Sequence, residues 1–354
     1  MNNAPSPVMK EFEILIGNLC NFKCKYCFEN NTNKSTTITW DILKRWAEFI
    51  NWSKHKFYKN DLIKVTIFGG EPTLQLDIID RFIGRICHSV NNVHIVTNAS
   101  LPGDTKNKLL ALKKYNKFIN IVIIASYDFI NQNETRQKDS YKLVRENIKW
   151  LYNNMGTRRC ITVFSSANFH KIHDVFFDYL ELKKELPELY LDYNIDRYEN
   201  IPINLDESSI RSSCLQVKEY LDKYPELKNY FQYNGCIGIK RSESPEDHCF
   251  LKGIVISMDE NGVLYPGYDT KFESPTVVDL LTIGHISEPF DVIEQKRRYL
   301  LDKLPKDPNP ICEKCSVPCR IFPWRVMKTS LEEWNSLPNE GHCRVHKLLG
   351  EYLK

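Results

Sequence analysis

The chain has 354 residues, 48 basic and 45 acidic side chains, a net formal charge of +3, and 12 cysteines. This length suits one large domain or two, and 42% hydrophobic residues exclude a disordered or collagen-like chain. No apolar stretch approaches the roughly 18 residues of a membrane span and no secretory signal is visible, so we expect a cytoplasmic protein outside the membrane. The nearly balanced charge argues against a nucleic-acid partner.

Short apolar runs rich in isoleucine and valine alternate with amphipathic helical segments over the first 200 residues. The strand-like runs lie at 12–16, 64–68, 93–97, 119–125, 160–164 and 189–195. Strands that are apolar on both faces are typical of a parallel sheet covered by helices, and Thr39 is the predicted N-cap of the first helix. The repeated βα units predict an α/β fold, a partial (β/α)6 TIM-like barrel, with an open doubly wound sheet as the alternative.

The alternation of strands and helices fails after about residue 200. Farther on, an Asn-Gly pair ending at Gly262 lies between two short apolar runs, which predicts a β-hairpin. We therefore divide the chain into a core barrel at 1–200, a bridging segment at 201–235 and a small cysteine-rich C-terminal extension at 236–354.

The first cysteine cluster consists of Cys20, Cys24 and Cys27, a C-x3-C-x2-C spacing directly after the first predicted strand. Three thiolates on one loop can face one metal centre and leave a coordination position open, whereas a structural zinc site is normally closed by a fourth protein ligand. Thiolate-rich sites favour zinc or iron–sulfur clusters. A zinc knuckle with a distant fourth ligand therefore stays open as an alternative.

The second predicted strand runs into Gly69-Gly70-Glu71-Pro72. Two glycines at a strand end let the backbone approach a ligand closely and expose its amides, although such a pair is also a common turn. Glu71 adds an acceptor for an ammonium group, and Pro72 stiffens the exit. Because ligand sites in such barrels lie at the C-terminal strand ends, this loop and the cysteine loop are expected to share one rim.

These residues, in this order, resemble the radical S-adenosylmethionine (SAM) family. The family's motifs are C-x3-C-x-aromatic-C and GGE, followed by polar residues at the ends of the third and fourth strands. The matching positions are Cys20, Cys24, Tyr26, Cys27, Gly69, Gly70, Glu71, Asn98 and Ser126.

The resemblance implies that the three thiolates hold a 4Fe–4S cluster whose fourth iron binds SAM. It implies that one electron from an external flavodoxin- or ferredoxin-type reductant cleaves SAM to a 5′-deoxyadenosyl radical, which abstracts hydrogen from a substrate. The residues expected to hold SAM around this cluster are Tyr26, Gly69, Gly70, Glu71, Pro72, Asn98 and Ser126.

A second cysteine cluster has the spacing C-x2-C-x3-C, with a further cysteine 24 residues later. Four thiolates can close a zinc site or a second 4Fe–4S cluster. The surrounding residues resemble the SPASM/twitch-type extension of radical SAM enzymes, except that Gly267 and Pro323 stand where the full module has cysteines. The resemblance therefore implies one auxiliary 4Fe–4S cluster and loss of the other. Its ligands would be Cys312, Cys315, Cys319 and Cys343.

Several remaining residues have a structural and a functional interpretation. We interpret Cys214, Cys236 and Cys249 as free buried thiols, with unusual ligands of a rebuilt inner cluster as the alternative. Cys87 and Cys160 lie in helix and strand patterns and receive the same structural interpretation. Asp269 lies near the position where some relatives of the family place a catalytic carboxylate, and a solvated acidic loop residue is the alternative.

The resemblance implies a maturase that modifies a peptide or protein substrate by a crosslink, a thioether, an epimerisation or a side-chain oxidation. This step rests on analogy within the family. The alternatives are a small-molecule radical SAM dehydrogenase or epimerase acting on a sugar or aminocyclitol, and a non-catalytic zinc-binding interaction module. Because the barrel begins near residue 11, we expect no N-terminal leader-peptide-binding domain.

Overall fold

The computed structural model describes residues 9–27, 29, 35–195, 206–233, 255–267, 271, 275–303 and 352. The described strands are β1 Met9–Leu15, β2 Leu62–Phe68, β3 Asn92–Thr97, β4 Asn120–Ser126, β5 Arg159–Phe164, β6 Tyr190–Ile195, β7 Phe231–Tyr233, β8 Val255–Met258, β9 Val263–Tyr265 and β10 Gly284–His285. The described helices are α1 Trp40–Lys56, α2 Leu76–Ile86, α3 Thr105–Tyr115, α4 Gln132–Thr135, α5 Tyr141–Met155, α6 Ile172–Glu185, α7 Glu207–Lys223, α8 Pro275–Leu281 and α9 Phe290–Lys303.

The strands form one ten-stranded sheet in the order β10-β9-β8-β1-β2-β3-β4-β5-β6-β7. Pairing is parallel from β8 through β1 and on to β7, which confirms the predicted partial barrel and its six core strands. Two further parallel strands, β7 and β8, come from the chain after residue 200 and extend the sheet at opposite edges. Among the described strands β7 pairs with β6 alone, so they do not close into a full barrel.

The far edge of the sheet is antiparallel, because β9 pairs with β8 and β10 pairs with β9. The predicted hairpin is therefore confirmed as β8 and β9. Gly262 has a φ of +86° in its turn, and the Asp259 carboxylate accepts from the amides of Asn261 and Val263 at 2.9 Å each. A left-handed φ of this kind favours glycine.

Alternating side chains divide the sheet into a helix-covered face and an inner face. In β2, Val65 has no exposed surface, whereas its neighbour Lys64 is only partly buried and points to the opposite face. On the helix-covered face, Phe12 of β1 meets Trp46 of α1 edge to face, with ring centroids 5.7 Å apart. This apolar layer supports the strands whose C-terminal ends carry the candidate site.

The first helix begins as predicted. Thr39 is the N-cap of α1, and its hydroxyl oxygen accepts from the Ile42 amide at 3.4 Å. In the part of the chain that the structure describes, no helix combines the length and the apolar character needed to cross a membrane.

Candidate active site

The cysteine loop after β1 lies directly on the loop after β2. The Gly70 amide donates to the Gly17 carbonyl at 2.6 Å, and the Glu71 amide donates to the Leu19 carbonyl at 2.8 Å. A Cβ atom added to Gly70 would stand 2.3 Å from the Leu19 carbonyl oxygen, and Gly69 has a φ of +127°. The close approach that this glycine pair allows is therefore to the cysteine loop itself. The Gly70 amide is bonded to protein, and the assignment of Gly69 and Gly70 to the SAM site stays a prediction.

Glu71 joins the ends of β2 and β3 through a fully buried carboxylate. Its Oε1 accepts from the Thr73 amide at 3.0 Å, the Thr73 hydroxyl at 2.6 Å and the Thr97 hydroxyl at 2.7 Å, while Oε2 accepts from the Asn98 amide at 2.6 Å. Burial raises the pKa of Glu71, and these hydrogen bonds oppose that rise. The sequence predicted an acceptor for an ammonium group, whereas the described donors are protein groups that fix the strand ends. Pro72 follows it as the first residue of a short 3-10 turn.

Asn98, at the end of β3, contacts the cysteine loop. Its amide Nδ2 donates to Asn21 Oδ1 at 2.9 Å and lies 3.8 Å from the sulfur of Cys20, and its Oδ1 accepts from the Ser100 amide at 2.9 Å. Asn98 was predicted to belong to the site, and its side-chain amide is directed at Cys20, a predicted cluster ligand. Ser126, also predicted, is the partly buried last residue of β4 at the same end of the sheet.

Asn147, a helix residue that the sequence did not single out for the site, holds the loop after β3 in place. Asn147 of α5 is buried, and its amide donates to the carbonyls of Ala99 and Ser100 at 2.9 and 2.8 Å. Ala99 and Leu101 have φ values of +56° and +44°, a backbone region that costs a non-glycine residue about 1–2 kcal/mol. The Asn147 bonds keep the backbone in this conformation. Asn147 directly follows Arg145 and Glu146 in α5, a position that does not by itself indicate this role.

Tyr26 enters a buried polar network on the other side of the cysteine loop. Its hydroxyl donates to Asp128 Oδ2 at 2.6 Å, and the Thr135 hydroxyl donates to the same oxygen at 2.6 Å. Arg136 Nε lies 3.1 Å from Asp128 Oδ1. Asp128 stands two residues after Ser126, and this position just past the end of β4 was the available sequence signal for its place here.

The three cysteines of the loop lie close enough to influence one another. The amide of Cys27 donates to the carbonyl of Cys24 at 3.1 Å, which closes a tight turn, and the Phe22 amide lies 3.3 Å from the Cys20 sulfur. Burial raises the pKa of the Cys24 thiol to about 12, while the Arg136 guanidinium lowers it and the other two thiols raise it. Burial also raises the pKa of Cys20, with further contributions from the nearby Glu71 and Cys27.

The donor set of this loop fits an iron–sulfur cluster. Within the described ranges, no three His, Cys, Asp or Glu side chains surround a point where a single metal ion would sit. A 4Fe–4S cluster spreads its thiolates over different irons, so three neighbouring thiols of one loop match such a cluster with one iron left without a protein ligand. Cys20 is exposed and Cys24 and Cys27 are partly buried, so the site is reached from the rim of the barrel.

The inner face of the sheet carries charged side chains. Lys64 Nζ lies 2.7 Å from Glu11 Oε2, and Arg159 on β5 pairs with the buried Asp192 on β6. The charges of Lys64, Glu11 and Arg159 influence the pKa of His94 on β3, so residues of four strands lie near one another inside the sheet. Burial, followed by Lys64, lowers the pKa of His94 to about 4, so this imidazole is neutral near pH 7.

The remaining cysteines and predicted site residues either lie in the described parts of the chain or fall outside them. Cys160 and Cys214 lie in the hydrophobic core with no exposed surface, in agreement with the structural interpretation of these thiols. Cys87 is the C-cap of α2, and its sulfur lies 3.3 Å from the Gly84 carbonyl. Outside the described residues lie Asp269, Cys236, Cys249, Cys312, Cys315, Cys319 and Cys343.

The fold and the loop chemistry define an α/β partial-barrel enzyme with its candidate centre at the C-terminal ends of β1 to β4. The Radical SAM superfamily model matches residues 14–178, which span β1 to α6. The part of the chain from β1 to α6 thus matches the radical SAM superfamily, as its cysteine and GGE motifs predicted.

A curated relative and several solved structures resemble the chain. It is 22% identical over 283 residues to "Radical SAM cyclopropyl synthase TigE" of Paramaledivibacter caminithermalis, covering 73% of this chain but only 57% of that protein. The structure of anSMEcpe with bound AdoMet aligns with a TM-score of 0.68 at 17% identity, over 97% of this chain and 96% of that one. SuiB of Streptococcus suis, bound to its precursor peptide SuiA, aligns with a TM-score of 0.62 at 16% identity, over 91% of this chain and 74% of that one. These alignments support the fold.

Proposed function

We propose that this chain binds a 4Fe–4S cluster through Cys20, Cys24 and Cys27, binds SAM beside it, and modifies a peptide or protein substrate. The observation that carries the proposal is the position of the three thiols. They share one loop, which is bonded to the loop after β2 through Gly70 and Glu71. Such a loop presents several soft ligands at the end of the sheet where barrel enzymes of this class bind their substrates.

The residues of the chain would bind and orient the reactants. When bound, the cluster would supply the electron for reductive cleavage of SAM, the chemistry that would allow hydrogen abstraction from the substrate. Glu71 fixes the ends of β2 and β3, and Asn98 directs its amide at Cys20. The remaining residues proposed to line the SAM site are Tyr26, Gly69, Gly70, Pro72 and Ser126.

The inner face of the barrel would receive the substrate. The charged pairs and the neutral imidazole of His94 make this face polar below the strand ends. Peptides are also bound in the solved structures of similar fold, namely anSMEcpe with the Kp18Cys peptide and SuiB with SuiA. These peptide complexes support a peptide substrate over a sugar or aminocyclitol.

The proposal includes one auxiliary 4Fe–4S cluster held by the C-terminal cysteines and an external one-electron reductant. The auxiliary ligands lie outside the described residues, so their support is the C-x2-C-x3-C spacing and the later cysteine. The proposed ligands are Cys312, Cys315, Cys319 and Cys343.

The substrate class is tested with the anaerobically reconstituted full chain, SAM and a chemical reductant. Short peptides encoded beside the gene for this chain are added separately from a panel of aminocyclitols and sugars. We expect one peptide to increase 5′-deoxyadenosine formation and to change in mass, with no response to the small molecules. A response to an aminocyclitol or sugar alone would refute the peptide assignment.

A further inference from the structure

Asn98, Asn21 and Ser100 form a closed ring of hydrogen bonds between the cysteine loop and the loop after β3. Asn98 Nδ2 donates to Asn21 Oδ1, Asn21 Nδ2 donates to the Ser100 hydroxyl, and the Ser100 amide donates to Asn98 Oδ1, each at 2.9 Å. Because the Ser100 amide can only donate, the Asn98 carboxamide must present its oxygen to Ser100 and its nitrogen to the cysteine loop. The ring therefore fixes which end of the Asn98 side chain faces the cysteines.

The Asn98 amide nitrogen has a second hydrogen, which is directed at a predicted cluster ligand. A carboxamide nitrogen carries two hydrogens, and Asn21 accepts one of them. Asn98 Nδ2 also lies 3.8 Å from the sulfur of Cys20, a hydrogen-bond distance for the larger sulfur atom. The main-chain amide of Phe22 donates to the same sulfur at 3.3 Å. Two N–H groups from different segments of the chain thus face one thiol.

Asn98 is held through its main chain as well as through its side chain. Its main-chain amide donates to Glu71 Oε2 at 2.6 Å, and only 6% of the residue is exposed. The next two residues, Ala99 and Ser100, are bonded through their carbonyls to Asn147. The N–H dipole is therefore already oriented towards the sulfur, so no reorganisation is needed for it to act on a charge that develops there.

We propose that Asn98 is a positioning residue for Cys20 whose side-chain amide raises the reduction potential of the cluster at Cys20, Cys24 and Cys27. This inference rests on the proposed function. One electron from the external reductant enters the cluster in this step, and no bond forms or breaks. The cluster becomes more negative, and the positive end of an N–H dipole beside a ligand sulfur stabilises that state; hydrogen bonds to the sulfurs are among the factors that set iron–sulfur potentials. Loss of the donor makes reduction harder, and a carboxylate in its place makes it harder still.

The test is a redox titration, followed by electron paramagnetic resonance, of the anaerobically reconstituted full chain. The cluster in question is identified as the one whose reduced spectrum changes when SAM is added. We expect Asn98→Ala to lower the equilibrium constant for one-electron reduction about three- to tenfold, which is about 28–59 mV for one electron. We expect Asn98→Asp to lower it further, because this variant keeps an acceptor for the Ser100 amide but places a negative charge beside the sulfur.

Asn168→Ala is the matched control for the loss of a buried carboxamide. Asn168 is buried after β5, where its Oδ1 accepts from the Ser165 amide at 2.7 Å and its Nδ2 donates to the Val163 carbonyl at 3.2 Å. The control thus loses a similar pair of hydrogen bonds, but its amide donates to a carbonyl oxygen where that of Asn98 faces a sulfur. It should leave the reduction potential unchanged.

Equal shifts in Asn98→Ala and Asn168→Ala, or a reduction constant of Asn98→Asp at or above the wild-type value, would overturn the inference. If Asn98→Ala takes up no cluster, Asn98→Asp decides alone. Failure of both variants to take up a cluster that Asn168→Ala retains would also overturn it, because Asn98 would then be needed for assembly of the cluster and not for its potential. A wild-type chain that takes up no cluster overturns the proposed function, a result distinct from a loaded cluster with unmoved potentials.

Discussion

The replacement Asn147→Ala tests how the loop after β3 is held next to the cysteines. The Asn147 amide donates to two carbonyls of that loop, those of Ala99 and Ser100, and is buried while doing so. Alanine removes both donors and leaves the rest of α5 intact. The loop also contains two residues at positive φ, which favours its relaxation once the bonds are lost.

The expected loss of stability follows from the two hydrogen bonds. Each contributes about 0.5–1.5 kcal/mol, and carbonyls left unpaired away from water add to the loss, so we expect Asn147→Ala to destabilise the chain by about 2–3 kcal/mol. Because the loop carries Asn98, whose amide is directed at Cys20, we also expect a lower yield of bound iron after reconstitution.

The assay is urea denaturation followed by circular dichroism, with the slope of the transition checked against that of the wild type. Asn154→Ala is the matched control on the same helix, since the Asn154 amide donates to the Trp150 carbonyl at an exposed position. It should change stability by less than about 0.5 kcal/mol. Equal effects of Asn147→Ala and Asn154→Ala would refute the role given to Asn147.

Three further outcomes are expected. The lowered pKa of His94 means that the unfolded chain binds more protons between pH 6.5 and about 4, so stability falls as the pH drops through that window. His94→Gln should reduce this pH-dependent loss of unfolding free energy by at most about 3 kcal/mol. Urea titrations in which wild type and variant lose the same stability over this pH range would contradict the prediction. Cys214→Ala should leave the iron content unchanged, because this thiol lies in the core, and a loss of iron would make it a ligand. Gly70→Ala should lower stability by more than about 1 kcal/mol and reduce iron uptake, because its Cβ would meet the Leu19 carbonyl. Gly84→Ala, where α2 leaves open space for a Cβ, should stabilise the chain by up to about 1 kcal/mol. Thermal melts that rank the two variants in the reverse order would refute the packing argument.

The core of the fold was predictable because its signals are local. Apolar runs of strand length separated by amphipathic stripes specify parallel strands and covering helices, and β1 to β6 occur where these runs lie. The strands β7 and β8 were harder to place in the sheet. Each has only three or four residues, and each gains its position by pairing with a strand that is distant in sequence.

The candidate site was predictable in position and less so in mechanism. The spacing of Cys20, Cys24 and Cys27 placed the thiols on one loop, and the glycine pair marked the neighbouring loop. The sequence could not reveal that Glu71 is bonded to Thr97 and the Asn98 amide, because that contact exists only once β2 and β3 are side by side. The same holds for Asn147 and for the pair of Asp128 and Arg136, whose partners lie on other elements of the fold.

The central claim is that Cys20, Cys24 and Cys27 hold the cluster that binds SAM. Its most direct test is the iron, zinc and acid-labile sulfide content of the anaerobically reconstituted chain, measured for the wild type, the triple Cys→Ala variant at these positions and a Cys87→Ala control. Two 4Fe–4S clusters correspond to about eight irons per chain. We expect that value for the wild type and Cys87→Ala, about four for the triple variant, and 5′-deoxyadenosine formation in all but the triple variant. Zinc without sulfide in the wild type, or 5′-deoxyadenosine formation by the triple variant, would contradict the claim.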